Sequence, residues 1–128
     1  MKLLLDTHAL AWWANEAQEL STIARQAIAN EDNQVFVSAV SIYEAASKHQ
    51  IGKWPEVALL LADVSGYLVQ QRFDSLPLDL RHAERAGSLP FAHRDPFDRM
   101  LIAQALIDDL SLVSNDAAFD QFGVRRLW

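Results

Sequence analysis

The sequence contains no cysteine. Disulfide scaffolds and thiolate metal sites are therefore excluded, and a cytoplasmic setting is the expected one. It also lacks any apolar run near the ~20 residues that a membrane helix needs. The Leu3-Leu4-Leu5 stretch is too short for a signal peptide or a membrane span, and Asp6 ends it. No internal repeat, low-complexity segment or linker interrupts the 128 residues, so a single domain over 1–128 is expected. A basic excess is missing too, since the net charge is −6. Nucleic-acid binders that rely on bulk electrostatics are usually basic, which speaks against that class. Clustered acids that hold a metal soften the objection, because the cation offsets their charge. Finally, His8, His49, His82 and His93 show no paired ligand spacing, so zinc is not expected.

What is present is the composition of a packed domain. Hydrophobic residues make up 51% of the chain. At this length about two thirds of the unfolded surface can be buried without a staple. The pattern alternates short strands and helices. Strands are expected over 2–5, 35–37, 112–114 and 124–127, with a weak strand or extended link over 72–78. Helices are expected over 7–15, from Ser21 to 29, and from Ser38 or Ser41 to about 50. A long helix should then run from Pro55 to 71, a short one from Asp79 to near Gly87, and another from Asp95-Pro96 to about 108. Residues 89–94 read as a loop, and 116–122 as a short helix. Strands separated by helices imply crossovers, hence an α/β class: three α/β/α layers around a mostly parallel sheet. Strand order is not readable from this pattern.

The acids then acquire a place. Asp6 ends the first strand, and Asp116 follows the strand over 112–114. Open parallel sheets bind ligands at the carboxyl ends of their strands. Each acid also has a plain structural reading. Asp6, Asp95 and Asp116 can cap helices. Glu44 can pair with Lys48 at i, i+4, although its ridge neighbours Val40, Ser47 and Ile51 are uncharged. Asp98 falls at the third position of its helix, where the dipole favours an anion. Asp108, Asp109 and Asp120 read as solvated. Taken together, an acid at a strand end, one on a helix, one opening a helix and one after a late strand suggest a metal site. Oxygen donors without a His or Cys cluster suit Mg²⁺ or Mn²⁺.

Four segments carry a resemblance. They are Leu-Leu-Leu-Asp6-Thr-His-Ala, Ser41-Ile-Tyr-Glu44-Ala, His93-Arg-Asp95-Pro-Phe-Asp98-Arg-Met-Leu-Ile-Ala-Gln-Ala, and Leu112-Val-Ser-Asn-Asp116-Ala-Ala-Phe. In these pieces the chain resembles the PIN-domain ribonucleases, specifically the VapC-type toxins. The resemblance implies a compact α/β/α fold, a divalent metal, RNA cleavage and an antitoxin that blocks the site. By position, Asp6, Glu44, Asp98 and Asp116 correspond to the family's four acids, as catalytic and metal-binding residues. Asp95 is an extra acid, and Ser114 stands where the family often has Thr, with a hydroxyl able to orient Asp6 or Asp116. The implied chemistry is metal-assisted hydrolysis of a phosphodiester. Asp6, Asp98 and Asp116 are the first candidates for ligands, and Glu44 for ligand or water-orienting group.

Supporting roles are more open. Arg94, Arg99, Lys48 and Lys53 can meet phosphates or be ordinary solvated charge. Trp12, Trp13 and Trp54 can stack on bases, with core or partner contacts the preferred reading of each. Apolar residues on the first helices and around Val40 to Lys53, among them Ile23 and Tyr43, can serve a homodimer or an antitoxin helix. Two other classes compete. A phosphate-receiver domain wants an acceptor Asp on a central strand and a late Lys, and neither is evident. A pure interaction module would use all the acids as caps.

Overall fold

The computed structural model describes residues 1–90 and 95–128. In chain order the elements are β1 (Lys2–Leu5), α1 (Thr7–Ala14), α2 (Thr22–Ala29), β2 (Gln34–Ser38) and α3 (Ala39–Gln50). A 3-10 turn at Pro55–Val57 leads to α4 (Ala58–Ala62), α5 (Val64–Gln71), β3 (Phe73–Leu76) and α6 (Leu80–Ser88). Then come α7 (Pro96–Ile107), β4 (Ser111–Val113), a second 3-10 turn at Ala117–Phe122, and β5 (Arg126–Leu127). The five strands form one sheet in the order β3-β2-β1-β4-β5. Every neighbouring pair is parallel.

β1 lies in the middle, and its composition explains why. Leu3, Leu4 and Leu5 are all fully buried. Successive side chains of a strand point to opposite faces. Leu3 and Leu5 accordingly pack with Leu10, Ala24, Ile28, Leu60 and Leu68 of the helices on one side. Leu4 packs with Val40, Leu101, Ile102 and Phe119 on the other. A strand covered on both faces reads as a continuous apolar run rather than an alternation. The expected three-layer α/β/α class is therefore what the chain adopts.

Two boundaries differ from expectation. The long helix over 55–71 is broken in three. Asp63 leaves helical backbone with φ −154 and ψ 82, and its Oδ1 accepts the Gly66 N–H at 3.0 Å. A capping carboxylate offers the backbone an alternative to helical continuation, and here the alternative wins. Gly66 permits it, because a Cβ there would collide with the Asp63 carboxylate. The last strand is also shorter, since only Arg126–Leu127 pairs with β4.

A buried polar link fixes α7 against the sheet. The Ser38 hydroxyl accepts the Val40 N–H at 3.0 Å and donates to Gln104 Oε1 at 2.6 Å. Ser38, not Ser41, is thus the cap of α3. Gln104 Nε2 in turn donates to the Pro77 carbonyl at 3.3 Å. Gln104→Leu should therefore lower stability by about 1–3 kcal/mol, because it strands a buried hydroxyl and weakens a carbonyl's pairing. Urea titration should show a lower midpoint with an unchanged slope. Among the described residues no helix is long and apolar enough to cross a membrane.

Candidate active site

Asp6 leaves β1 at its carboxyl end and is only 7% exposed. Its backbone N–H donates to the Val113 carbonyl at 3.1 Å, which pins it between β1 and β4. Its Oδ1 accepts the Ala9 N–H at 2.7 Å and so caps α1. The fully buried Ser114 joins Asp6 to the next strand's loop. Its hydroxyl donates to the Asp6 carboxylate and accepts the Asp116 N–H at 3.0 Å. Burial raises the Asp6 pKa above its ordinary 3.8; hydrogen bonds from Ser114 and Ala9 and the nearness of His8 oppose this without cancelling it, and the Glu44 charge adds to the rise. A carboxylate is thus held in a poorly solvated place where positive charge would be welcome.

Three of the four predicted acids share one cleft. Asp6, Asp98 and Asp116 line a volume of about 420 Å³ together with His8, Trp12 and Asn115. Asp98 reaches it from the first turn of α7. Asp116 reaches it from the loop after β4, while its Oδ1 accepts the Ala118 N–H at 3.0 Å. Glu44 is not part of the lining, yet it lies close enough for its charge to act on Asp6. Its Oε2 sits 2.9 Å from Lys48 Nζ, so the simple i, i+4 pair is present as well. Asp95 serves the helix: its Oδ1 accepts the Phe97 N–H at 2.8 Å and the Asp98 N–H at 3.3 Å. Among the described residues no three acidic or histidine side chains converge as a finished metal cage.

Capping does not use up these acids. A carboxylate has two oxygens and about four lone-pair positions, so a cap bond leaves acceptor capacity. Asp6 and Asp116 therefore cap their helices and keep acceptor capacity toward the cleft. The three acids offer hard oxygen donors, which fit Mg²⁺ or Mn²⁺ better than a soft metal.

Several supporting residues behave otherwise than the sequence suggested. Arg99 donates to the carbonyls of Ala86, Gly87, Leu89 and Pro90, and so ties α7 to the end of α6. Asp108 is not simply solvated, since His82 Nε2 lies 2.7 Å from its Oδ2. Asp120 pairs with Arg126 at 2.9 Å, and the same guanidinium donates to the Ser114 carbonyl at 3.1 Å. Arg126 thereby braces the loop that carries Asp116, a role without any sequence signal. The Thr7 hydroxyl donates to the Ser41 hydroxyl at 3.2 Å, a buried bond between the helices that follow Asp6 and carry Glu44. Polar residues beside the matched acids were the available signal for that link. His93 and Arg94 lie outside the described residues, as does most of the loop expected over 89–94.

The sequence model of the PIN domain matches residues 3–124, a span that takes in every acid discussed above. Solved structures agree in fold. VapBC2 from Rickettsia felis, bound to a promoter DNA fragment, superposes with a TM-score of 0.73 at 13% identity, covering 98% of this chain and 97% of the other. A toxin-antitoxin complex from Klebsiella pneumoniae gives 0.59 at 18% identity, covering 89% and 86%. At such low identity these likenesses speak for the fold alone. In sequence, ribonuclease VapC22 of Mycobacterium tuberculosis is 32% identical over 117 residues, covering 89% of this chain and 86% of its own. The chain belongs to the PIN-domain family, on its VapC-type branch.

Proposed function

We propose that this chain is a divalent-metal-dependent endoribonuclease, the toxin of a toxin–antitoxin pair, acting in the cytoplasm as one PIN domain over 1–128. The observation that carries the reading is the cleft itself. It sets a desolvated carboxylate, Asp6, beside Asp98 and Asp116 at the carboxyl edge of the sheet. We assign Asp6, Asp98 and Asp116 as the residues that hold Mg²⁺ or Mn²⁺, with Glu44 as a further ligand or as the group that orients water. When bound, the cation supplies charge for the phosphate oxygens and acidifies water. The protein's own share is placement. Ser114 and the Ala9 N–H hold Asp6 in one orientation. The first turn of α7 holds Asp98, and the Ser114–Arg126 brace holds the loop of Asp116.

A blocking antitoxin follows from the same family reading. The exposed Ile23, Tyr43 and Ile51 are apolar contacts for that protein or for a second copy of the chain. The receiver-domain alternative gains no support, because among the described residues no lysine lines the cleft.

Cleavage mapping on total RNA tests the reading. RNA should be cut with Mg²⁺ or Mn²⁺, spared with EDTA, and cut again when cation is restored. A thermal-shift titration with Mn²⁺ should raise Tm for the wild type and much less for Asp98→Asn. Cleavage that persists in EDTA, or intact RNA under every cation, would overturn the assignment.

A further inference from the structure

One wall of the acidic cleft is aromatic. His8 and Trp12, four residues apart on α1 and hence on one helical face, both line it. Their ring centroids are 5.5 Å apart with planes tilted by 50°. The strip continues on both sides. Trp54 meets His8 edge-on at 5.3 Å, and Trp128 meets Trp12 at 5.7 Å. Lys48 Nζ lies 4.4 Å over the Trp54 ring. His8 is exposed, and Trp12, Trp54 and Trp128 are half-buried, so the strip keeps surface toward solvent.

The neighbouring tryptophan shows what a structural role looks like here. Trp13 packs on Phe73 at 5.9 Å, and its indole N–H donates to Gln71 Oε1 at 3.0 Å. It is committed to the packing between α1, α5 and β3. Trp12 also packs its inner side against the core, but it lines the carboxylate cleft beside His8 and Trp128.

Charge decides what the wall can be for. The chain carries −6, and three of its acids stand together at the point where a phosphate must come. The acidic balance therefore leaves little long-range attraction beyond what a bound cation offsets. Stacking on an aromatic face is indifferent to that charge, and every unpaired base offers a π-face. We propose that His8 and Trp12, extended by Trp54 and Trp128, form a stacking platform for unpaired nucleobases flanking the scissile phosphate. The platform then takes the bases beside the cut and leaves the phosphate to the carboxylate cleft. The proposal rests on the ribonuclease reading above and deepens it.

The test uses a labelled oligoadenylate, single-stranded or paired with its complement, and fluorescence anisotropy in Mg²⁺ in an Asp98→Asn background. His8→Ala and Trp12→Leu should each weaken single-strand binding roughly tenfold, the scale of one lost base stack. His8→Phe should restore it. The slope of log Kd against log salt should stay the same, because no phosphate contact is lost. Duplex binding should not respond to either change. His8 is exposed, so His8→Ala decides the matter even if Trp12→Leu lowers stability. Unchanged affinity in His8→Ala, or a loss that His8→Phe does not rescue, would sink the platform. The two readings fail separately. If active protein cleaves RNA but His8→Ala leaves KM unchanged, the platform falls and the ribonuclease stands. If active protein cleaves no RNA at all, both fall.

Discussion

Asp98→Asn should lower RNA cleavage on the order of a thousandfold while the protein remains folded. The magnitude is that of the ~4 kcal/mol of charge stabilisation a bound cation contributes to such a reaction. Asp98 lies in the first turn of α7, where Asp95 already provides the cap, so asparagine costs the helix little. Asp6→Asn should match it in activity and add a signature in stability. The folded Asp6 pKa lies above its ordinary 3.8, chiefly through burial. For an acid with a raised pKa, the folded state binds more protons than the unfolded state between the two values. Stability is then lost as pH rises through that window, and the full cost is present above the raised value. Asparagine carries no such cost and is a good cap. Without added metal, the variant should be as stable as the wild type or more so at neutral pH, with the difference vanishing below about 3.8. Urea denaturation at several pH values in EDTA measures this. A variant much less stable at neutral pH would make Asp6 a structural cap and nothing more.

The second large effect is expected at a residue that touches no phosphate. Ser114→Ala removes the hydroxyl that donates to Asp6 and accepts the Asp116 N–H. Ser114 is fully buried, so water does not readily take its place. Loss of such a bond should cost about 1–3 kcal/mol of stability. Cleavage should fall about 10- to 100-fold, the usual penalty for removing a partner that orients a metal-binding group. The drop should sit in kcat, with KM little changed, since the hydroxyl positions Asp6 and does not hold RNA. Ser114→Thr, which keeps the hydroxyl, should keep most of the activity. Equal activity in Ser114→Ala would show that Asp6 and Asp116 hold their places without the link.

Much of this was legible in the chain. The all-apolar Leu3-Leu4-Leu5 run marked a strand covered on both faces, and the caps at Asp6, Ser21, Asp79, Asp95 and Asp116 opened their helices as expected. Local signals sufficed because a cap depends on residues within one turn. The failures share a cause as well. Leu59-Leu60-Leu61-Ala62 continues a helical pattern, and nothing apolar marks Asp63 as a break. The charge at Asp108 looked solvated because its partner His82 lies in another helix. Arg99 looked available for phosphate because the α6 carbonyls it binds are adjacent only in space. For the site, strand ends named Asp6 and Asp116 and the resemblance pointed to the Ser114 hydroxyl beside them, whereas the Arg126 brace and the ring strip depend on tertiary neighbours.

The central place of β1 bears on the order in which the site is assembled. Leu3 pairs with Val35 on one side, yet its partner on the other is Ser111, which is made far later. Until β4 emerges, Asp6 has neither the Val113 carbonyl nor Ser114 to hold it. Synthesis runs at about 5–20 residues per second, and parallel pairings of such separation close slowly. Asp6 and Asp116 are therefore fixed together only once β4 and the loop after it have been made. The cleft is thus the last part of the molecule to be assembled, and it can form only after the strands that frame it have paired.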